Sequence, residues 1–113
     1  MHELSIAQSI VDIIQEEMGK HGAKTLKSVH LNIGEMSSIM HDSLSFCFKI
    51  ITADTQLDGA DLIMETIPLK GYCKSCDHEF KIKNYAFVCT LCGGSNIDAV
   101  SGRDLSIVEI EVE

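Results

Sequence analysis

No apolar run in this 113-residue chain approaches the roughly 18 residues that a membrane-spanning helix needs. The first residues lack a basic stretch followed by an apolar run and a cleavage site, so they do not read as a signal peptide. Basic residues are scarce: nine Lys and Arg stand against seventeen Asp and Glu, for a formal charge of −8 and a pI near 5.0. The densest basic stretch is Lys81-Ile82-Lys83. Phosphate binding needs a cationic face, so this balance excludes nucleic acid as the main partner. There is one proline, Pro68, and no low-complexity segment. Neither a phosphate-binding loop nor a Ser/His/Asp grouping is legible, and the chain therefore does not read as an enzyme.

What is present is 45% hydrophobic and 23% charged, the composition of one soluble domain, or of one small domain carrying a smaller module. The expected compartment is the cytoplasm. There the five cysteines are expected to be metal ligands or free thiols and not structural disulfides.

Leu4, Ala7, Ile10, Val11, Ile14 and Met18 recur at helical spacing, which predicts a helix over 4–18, with Gly19 and Gly22 as stop signals. From 26 to 33 the period switches to two: Val29, Leu31 and Ile33 point one way and Ser28, His30 and Asn32 the other, as in a strand closed by Gly34. Helical spacing returns over 42–53, with Asp42 as N-cap and Leu44, Cys47, Phe48 and Ile51 as the apolar stripe. Leu62 to Ile67 reads as a strand ended by Pro68. In the tail, Val108, Ile110 and Val112 alternate with Glu109 and Glu111, the pattern of a half-buried strand with an acidic outer face.

The order is helix, strand, helix, strand, cysteine-rich stretch, strand. The final strand needs a sheet to join, and its nearest partners precede residue 68. The expected fold is therefore α+β: two helices packed on a small three-stranded sheet, with a cysteine module inserted between two strands. The expected domains are residues 1–68 plus 105–113, and residues 69–104.

Inside the module, Cys73-Lys74-Ser75-Cys76 and Cys89-Thr90-Leu91-Cys92 form two Cys-x-x-Cys pairs separated by twelve residues. Zinc takes four ligands at tetrahedral corners, and a two-residue gap lets both sulfurs of a pair reach one ion. Residues 77–88 are expected to run out and back as a hairpin, bringing the second pair opposite the first. Four thiolates fill the coordination sphere, so the expected site is a structural four-cysteine zinc ribbon formed by Cys73, Cys76, Cys89 and Cys92. A pair of redox dithiols is the rival reading, but the strand-to-helix setting of a thioredoxin-like site is missing. His78 is expected to be a hairpin residue outside the sulfur set, Cys47 an inert buried thiol, and His30 and His41 surface or capping residues.

Met1-His2-Glu3 offers a second kind of site. The Met1 amine, the His2 amide nitrogen and the His2 imidazole can face one cation and form adjacent chelate rings. Square-planar nitrogen coordination of this kind suits Ni²⁺ or Cu²⁺ and not tetrahedral Zn²⁺. The Glu3 amide or another side chain can complete the plane. Taken alone this is a weak signal, because a histidine near a terminus more often has no such role.

In combination, Met1-His2-Glu3-Leu4-Ser5, Val29-His30-Leu31-Asn32-Ile33-Gly34-Glu35, the paired Cys-x-x-Cys motifs and Gly102-Arg103-Asp104-Leu105 resemble the HypA/HybF family of nickel metallochaperones for [NiFe]-hydrogenase maturation. The resemblance covers essentially the whole chain. One departure is Asp104, where the family commonly has the longer glutamate. The resemblance implies an α+β nickel-binding domain with an inserted zinc domain, His2 as a nickel ligand, and zinc held by the four cysteines of the module. It also implies a HypB-type nickel GTPase and the hydrogenase large subunit as partners. It leaves open service to urease maturation proteins and a homodimeric state. Two other readings remain open at this point: a zinc-ribbon module that docks proteins without binding nickel, and a dithiol oxidoreductase.

Overall fold

A computed structural model describes residues 3–113. The chain forms helix α1 (Glu3–His21), strand β1 (Leu26–Gly34), a short 3-10 turn (Glu35–Ser37), helix α2 (His41–Thr52), and strands β2 (Asp61–Ile67), β3 (Lys70–Cys73), β4 (His78–Lys81), β5 (Ile97–Ser101) and β6 (Leu105–Val112). This is the expected α+β order, with strands β3, β4 and β5 added inside the cysteine-rich stretch. Among the described residues no helix is long and apolar enough to cross a membrane.

Two compact units are present. The first comprises the chain up to Asn32, Ile39–Glu65 and Ser106–Glu113; the second comprises Ile33–Ser38 and Thr66–Leu105.

In the first unit α1 and α2 pack on each other, and the sheet runs in the order β2-β1-β6. Thr25 and Glu113 exchange N–H···O bonds in both directions, an antiparallel pairing just outside β1 and β6. The helical stripe of α1 is buried at Ala7, Ile10, Val11, Ile14 and Met18. Leu4, expected on that stripe, is 54% exposed, because the first turn reaches past the surface that the rest of the helix covers. On α2 the buried residues are Leu44, Phe48 and Thr52. Thr52 donates its hydroxyl to the Phe48 carbonyl at 2.7 Å, so its burial leaves no donor unmet. Cys47 is half-buried with a free thiol. Asp42 is not the N-cap of α2: the helix starts one residue earlier, at His41, with Met40 in the capping position and extended. Val29 and Leu31 of β1 are buried, as the period of two requires, and Leu26, three positions before Val29 and off that period, is buried as well. In β6 the alternation breaks, because Val108 and Glu109 are both exposed while Ile107, Ile110 and Val112 are half-buried. Val108, expected to be covered with Ile110 and Val112, is 53% exposed.

The second unit is built on the sheet β4-β3-β5. Central β3 pairs antiparallel with both neighbours, Cys73 lying opposite His78 on one side and Ile97 on the other. Its core is Leu69, Cys73, Phe80, Ile82 and Cys89, closed over by Phe87, Ile97 and Ala99. The segment Ile33–Ser38 joins this unit through its main chain. Gly34 N–H donates to the Asp104 carbonyl at 2.9 Å and Met36 N–H to the Gly102 carbonyl at 2.8 Å. The Glu35 carboxylate accepts the Leu69 N–H at 2.8 Å. Only glycine permits this crossing. A Cβ on Gly34 would lie 2.4 Å from the Gly102 carbonyl carbon, and one on Gly102, at φ +83°, would lie 2.5 Å from the Leu69 Cα.

Candidate metal centre

The first cysteine pair forms the turn between β3 and β4. Cys73 ends β3, the Asp77 N–H closes back on the Cys73 carbonyl at 2.9 Å, and Asp77 takes a positive φ of 60° to start the return strand. Residues 77–88, expected to pair with themselves as a hairpin, do not do so. Their outgoing half, β4, pairs with β3 instead. The chain turns back at Lys83–Ala86 (Ala86 N–H to the Lys83 carbonyl, 3.0 Å), where Asn84 and Tyr85 take positive φ and so form no returning strand.

The second pair sits in a tight knuckle. Cys89 N–H donates to the Gly94 carbonyl at 2.9 Å and Gly93 N–H to the Cys89 carbonyl at 3.0 Å. Gly93 has φ +70°, the left-handed conformation that its missing Cβ makes accessible. The knuckle aims amides at sulfur: the Leu91 and Cys92 N–H groups donate to Cys89 Sγ at 3.4 and 3.5 Å, and the Gly94 N–H to Cys92 Sγ at 3.4 Å.

The four sulfurs converge. Cys73 and Cys92 Sγ are 3.7 Å apart, Cys76 and Cys89 Sγ are 3.4 Å apart, and all four lie within 4.8 Å of one another. Four sulfurs at about 2.3 Å from one tetrahedral ion would be about 3.8 Å apart. The set therefore fits Zn²⁺ in number, chemistry and spacing. Cys73 and Cys89 are buried while Cys76 and Cys92 face solvent, so an ion has an approach from one side. With no open ligand position, the geometry is that of a structural site and not of one that activates water.

The metal-free thiols differ sharply. The amide of Cys92, followed by that of Leu91, draws the Cys89 thiol down to about 6. The Cys76 thiol, hydrogen-bonded to Cys89, is pushed up to about 12. At Cys92 the Gly94 amide pulls the thiol down, but the contacts with Cys73 and Cys89, together with burial, leave it raised. One thiolate is thus stabilised by the backbone, and a divalent cation must displace protons from at least two of the others.

His78 is not part of the sulfur set. Its Nε2 lies 3.2 Å from Thr90 Oγ1, and its ring stacks on Phe80 with centroids 5.8 Å apart. His30 faces Glu65 across β1 and β2 at 3.6 Å, and His41 opens α2. Among the described residues, the four cysteines are the cluster of three or more His, Cys, Asp or Glu able to hold an ion.

Met1 and His2 lie outside the described residues. Glu3 lies within them and opens α1. Its carboxylate accepts the Met40 N–H at 3.4 Å, at an end of α2 that Met40's own side chain does not cap. A carboxylate there is favoured by the helix dipole. Sequence reading missed this contact and the Glu35–Leu69 bond, since neither has a local signal across separations of 37 and 34 residues.

Comparison with known proteins gives the family and supports the fold. The family model HypA, described as "Hydrogenase/urease nickel incorporation, metallochaperone", matches residues 1–112. Hydrogenase maturation factor HypA of Geotalea uraniireducens is 42% identical over 113 residues, covering 100% of each chain. The factor of the same name from Geobacter metallireducens is also 42% identical, again over 100% of both chains. Among solved structures, the solution structure of a HypA protein superposes with a TM-score of 0.78 at 24% identity, over 100% of this chain and 97% of that one. The solution structure of the Ni metallochaperone HypA from Helicobacter pylori gives 0.72 at 24% identity, over 99% and 97%. These two structures support the fold.

Proposed function

Since the chain belongs to the HypA family of hydrogenase/urease nickel-incorporation metallochaperones, we propose that it takes up Ni²⁺ at its own N-terminus and passes it on for assembly of [NiFe]-hydrogenase. The observation that carries this reading is a family match that starts at residue 1 and so includes Met1-His2-Glu3. His2 supplies its imidazole and amide nitrogen, Met1 its amine, and the Glu3 main chain a further donor. Late divalent metals favour such a nitrogen set.

Cys73, Cys76, Cys89 and Cys92 hold Zn²⁺ as a structural ion, which stabilises a module whose own apolar core is small. We assign nickel binding to the first compact unit and zinc binding to the second; relative to domains of residues 1–68 plus 105–113 and 69–104, Ile33–Ser38, Thr66–Pro68 and Leu105 change sides. The chain acts as a carrier and not as an enzyme, works in the cytoplasm, and relies on a HypB-type GTPase for nucleotide chemistry. The acceptor is the hydrogenase large subunit. The family description names urease beside hydrogenase, and urease maturation proteins are a second destination on that ground.

A transfer assay tests this reading. Protein loaded with radioactive nickel is mixed with metal-free hydrogenase large subunit, the GTPase and GTP. Nickel should pass to the large subunit faster than from a nickel–buffer complex at the same free Ni²⁺. Equal rates would refute a chaperone role.

A further inference from the structure

The acidity of the chain is confined to one unit. The α+β unit carries twelve Asp and Glu against four Lys, whereas the cysteine-bearing unit carries five acids against five basic residues. Within the acidic unit, the order β2-β1-β6 makes β6 an edge strand eight residues long. Its sequence, Leu105-Ser-Ile-Val-Glu-Ile-Glu-Val112, contains neither lysine nor proline, two residues that commonly protect an edge from pairing.

Beside this edge lies a cleft of about 330 Å³, lined by Ile13, Ile14 and Met18 of α1 and by Ile107, Val108 and Ile110 of β6. Ile13 is 51% and Val108 53% exposed. The charged groups at the cleft are Glu17 and His21 on α1 and Glu109 on β6. On the α1 side Glu17 is engaged by Lys20 and His21, each at 3.6 Å. The β6 side is acidic, with Glu109, then Glu111, which accepts the Ser28 hydroxyl at 3.4 Å, and Glu113, which pairs with Lys27 at 3.1 Å.

These features select an occupant. A second copy pairing antiparallel along β6 would set Glu109 and Glu111 against the same acids, and like charges across a ladder are destabilising. A cationic strand meets the opposite sign. We propose that β6 is a docking edge for an extended segment of a partner protein in which apolar residues alternate with lysine or arginine. Its main chain adds to the sheet beside β6. One row of its side chains enters the apolar cleft under Ile13, and the other places its cations opposite Glu109 and Glu111.

The test uses ¹⁵N-labelled, zinc-loaded, full-length protein and the probe peptide acetyl-KVKVKVK-amide, with acetyl-EVEVEVE-amide as control. Saturable shifts are expected at Ile107–Val112 and along Ile13–Met18 with the cationic peptide alone. Raising salt from about 50 to about 300 mM should weaken them. Ile13→Lys and, as a second variant at an exposed site, Val108→Lys should each lower affinity about tenfold or more. Ile63→Lys, on the far strand β2, should leave it unchanged. The proposal is overturned by an absence of saturable shifts, by shifts centred elsewhere, by equal binding of the acidic peptide, or by wild-type affinity in both variants. It is also overturned if sedimentation shows a dimer that Ile13→Lys dissolves and the cationic peptide does not, which would make the edge an interface between copies.

Discussion

Adding a single methyl group at the glycine crossing should loosen the cysteine-bearing unit by a calculable amount. Gly34 has φ −64°, so alanine costs it nothing in backbone conformation. Its Cβ would nevertheless lie 2.4, 2.5 and 2.8 Å from the Gly102 carbonyl carbon, the Gly102 oxygen and the Arg103 nitrogen. All three are main-chain atoms, which cannot swing aside as a side chain would. Overpacking against unyielding neighbours costs about 1–3 kcal/mol. Gly102→Ala meets a comparable clash, 2.5 Å from both the Leu69 Cα and the Pro68 oxygen, and adds the penalty of a φ of +83°. That conformation costs an L-residue roughly 1–2 kcal/mol more. Gly34→Ala should therefore destabilise by about 2 kcal/mol and Gly102→Ala by about 3–4 kcal/mol. With a urea slope of about 1–2 kcal/mol/M, the midpoint moves down by roughly 1–2 M for Gly34→Ala and by more for Gly102→Ala. Urea unfolding followed by zinc release to a chromogenic chelator reads this unit directly. Midpoints within about 0.2 M of wild type for both variants would show that the backbones do not cross tightly, and the reasoning would fail.

Replacing one metal donor should remove the ion: Cys73→Ser is expected to purify with less than one zinc per chain by elemental analysis, and full occupancy would exclude Cys73 as a ligand. The apparent zinc affinity should fall as pH falls, because protons compete for the thiolates. Cys89, held at about 6, joins that competition only in acid. Chelator titrations should therefore show the slope of log affinity against pH steepening by about one unit below about pH 6; a slope that stays flat there would contradict the assignment of the Cys89 thiolate. Finally, Phe48→Ala, at a buried position on α2, should cost about 3–5 kcal/mol in thermal or denaturant unfolding. Phe46→Ala, at an exposed one, should stay within about 0.5 kcal/mol, and similar costs for the two would invert the helix face described above.

Much of this was legible in the chain itself, for physical reasons that also mark where legibility ends. The α1 stripe and the alternation of β1 are local periodicities, and each buries the residues that its spacing selects. Leu4 failed because periodicity names a face without saying how far the facing surface extends. Asp42 failed because a good capping residue does not outweigh a start fixed one residue earlier by packing and by the Glu3 carboxylate at Met40. Strands β3, β4 and β5 are four or five residues long and carry turn formers and charges, so they gave no signal; long-range pairing around Cys73 makes them. The convergence of the four cysteines was readable because two Cys-x-x-Cys pairs leave few other ways to satisfy four thiols. The place of Ile33–Ser38 in the second unit was not readable, since it depends on Gly34 meeting Gly102 across 68 positions.

The central claim is that nickel is taken at the very first residues. The direct measurement is a Ni²⁺ titration of untagged, zinc-loaded protein with its native Met1, set beside His2→Ala, followed by the square-planar absorption band. The native chain should bind one Ni²⁺ with that band, and His2→Ala should lose both. Equal binding by the two proteins, or no binding by either, would contradict an N-terminal nickel site.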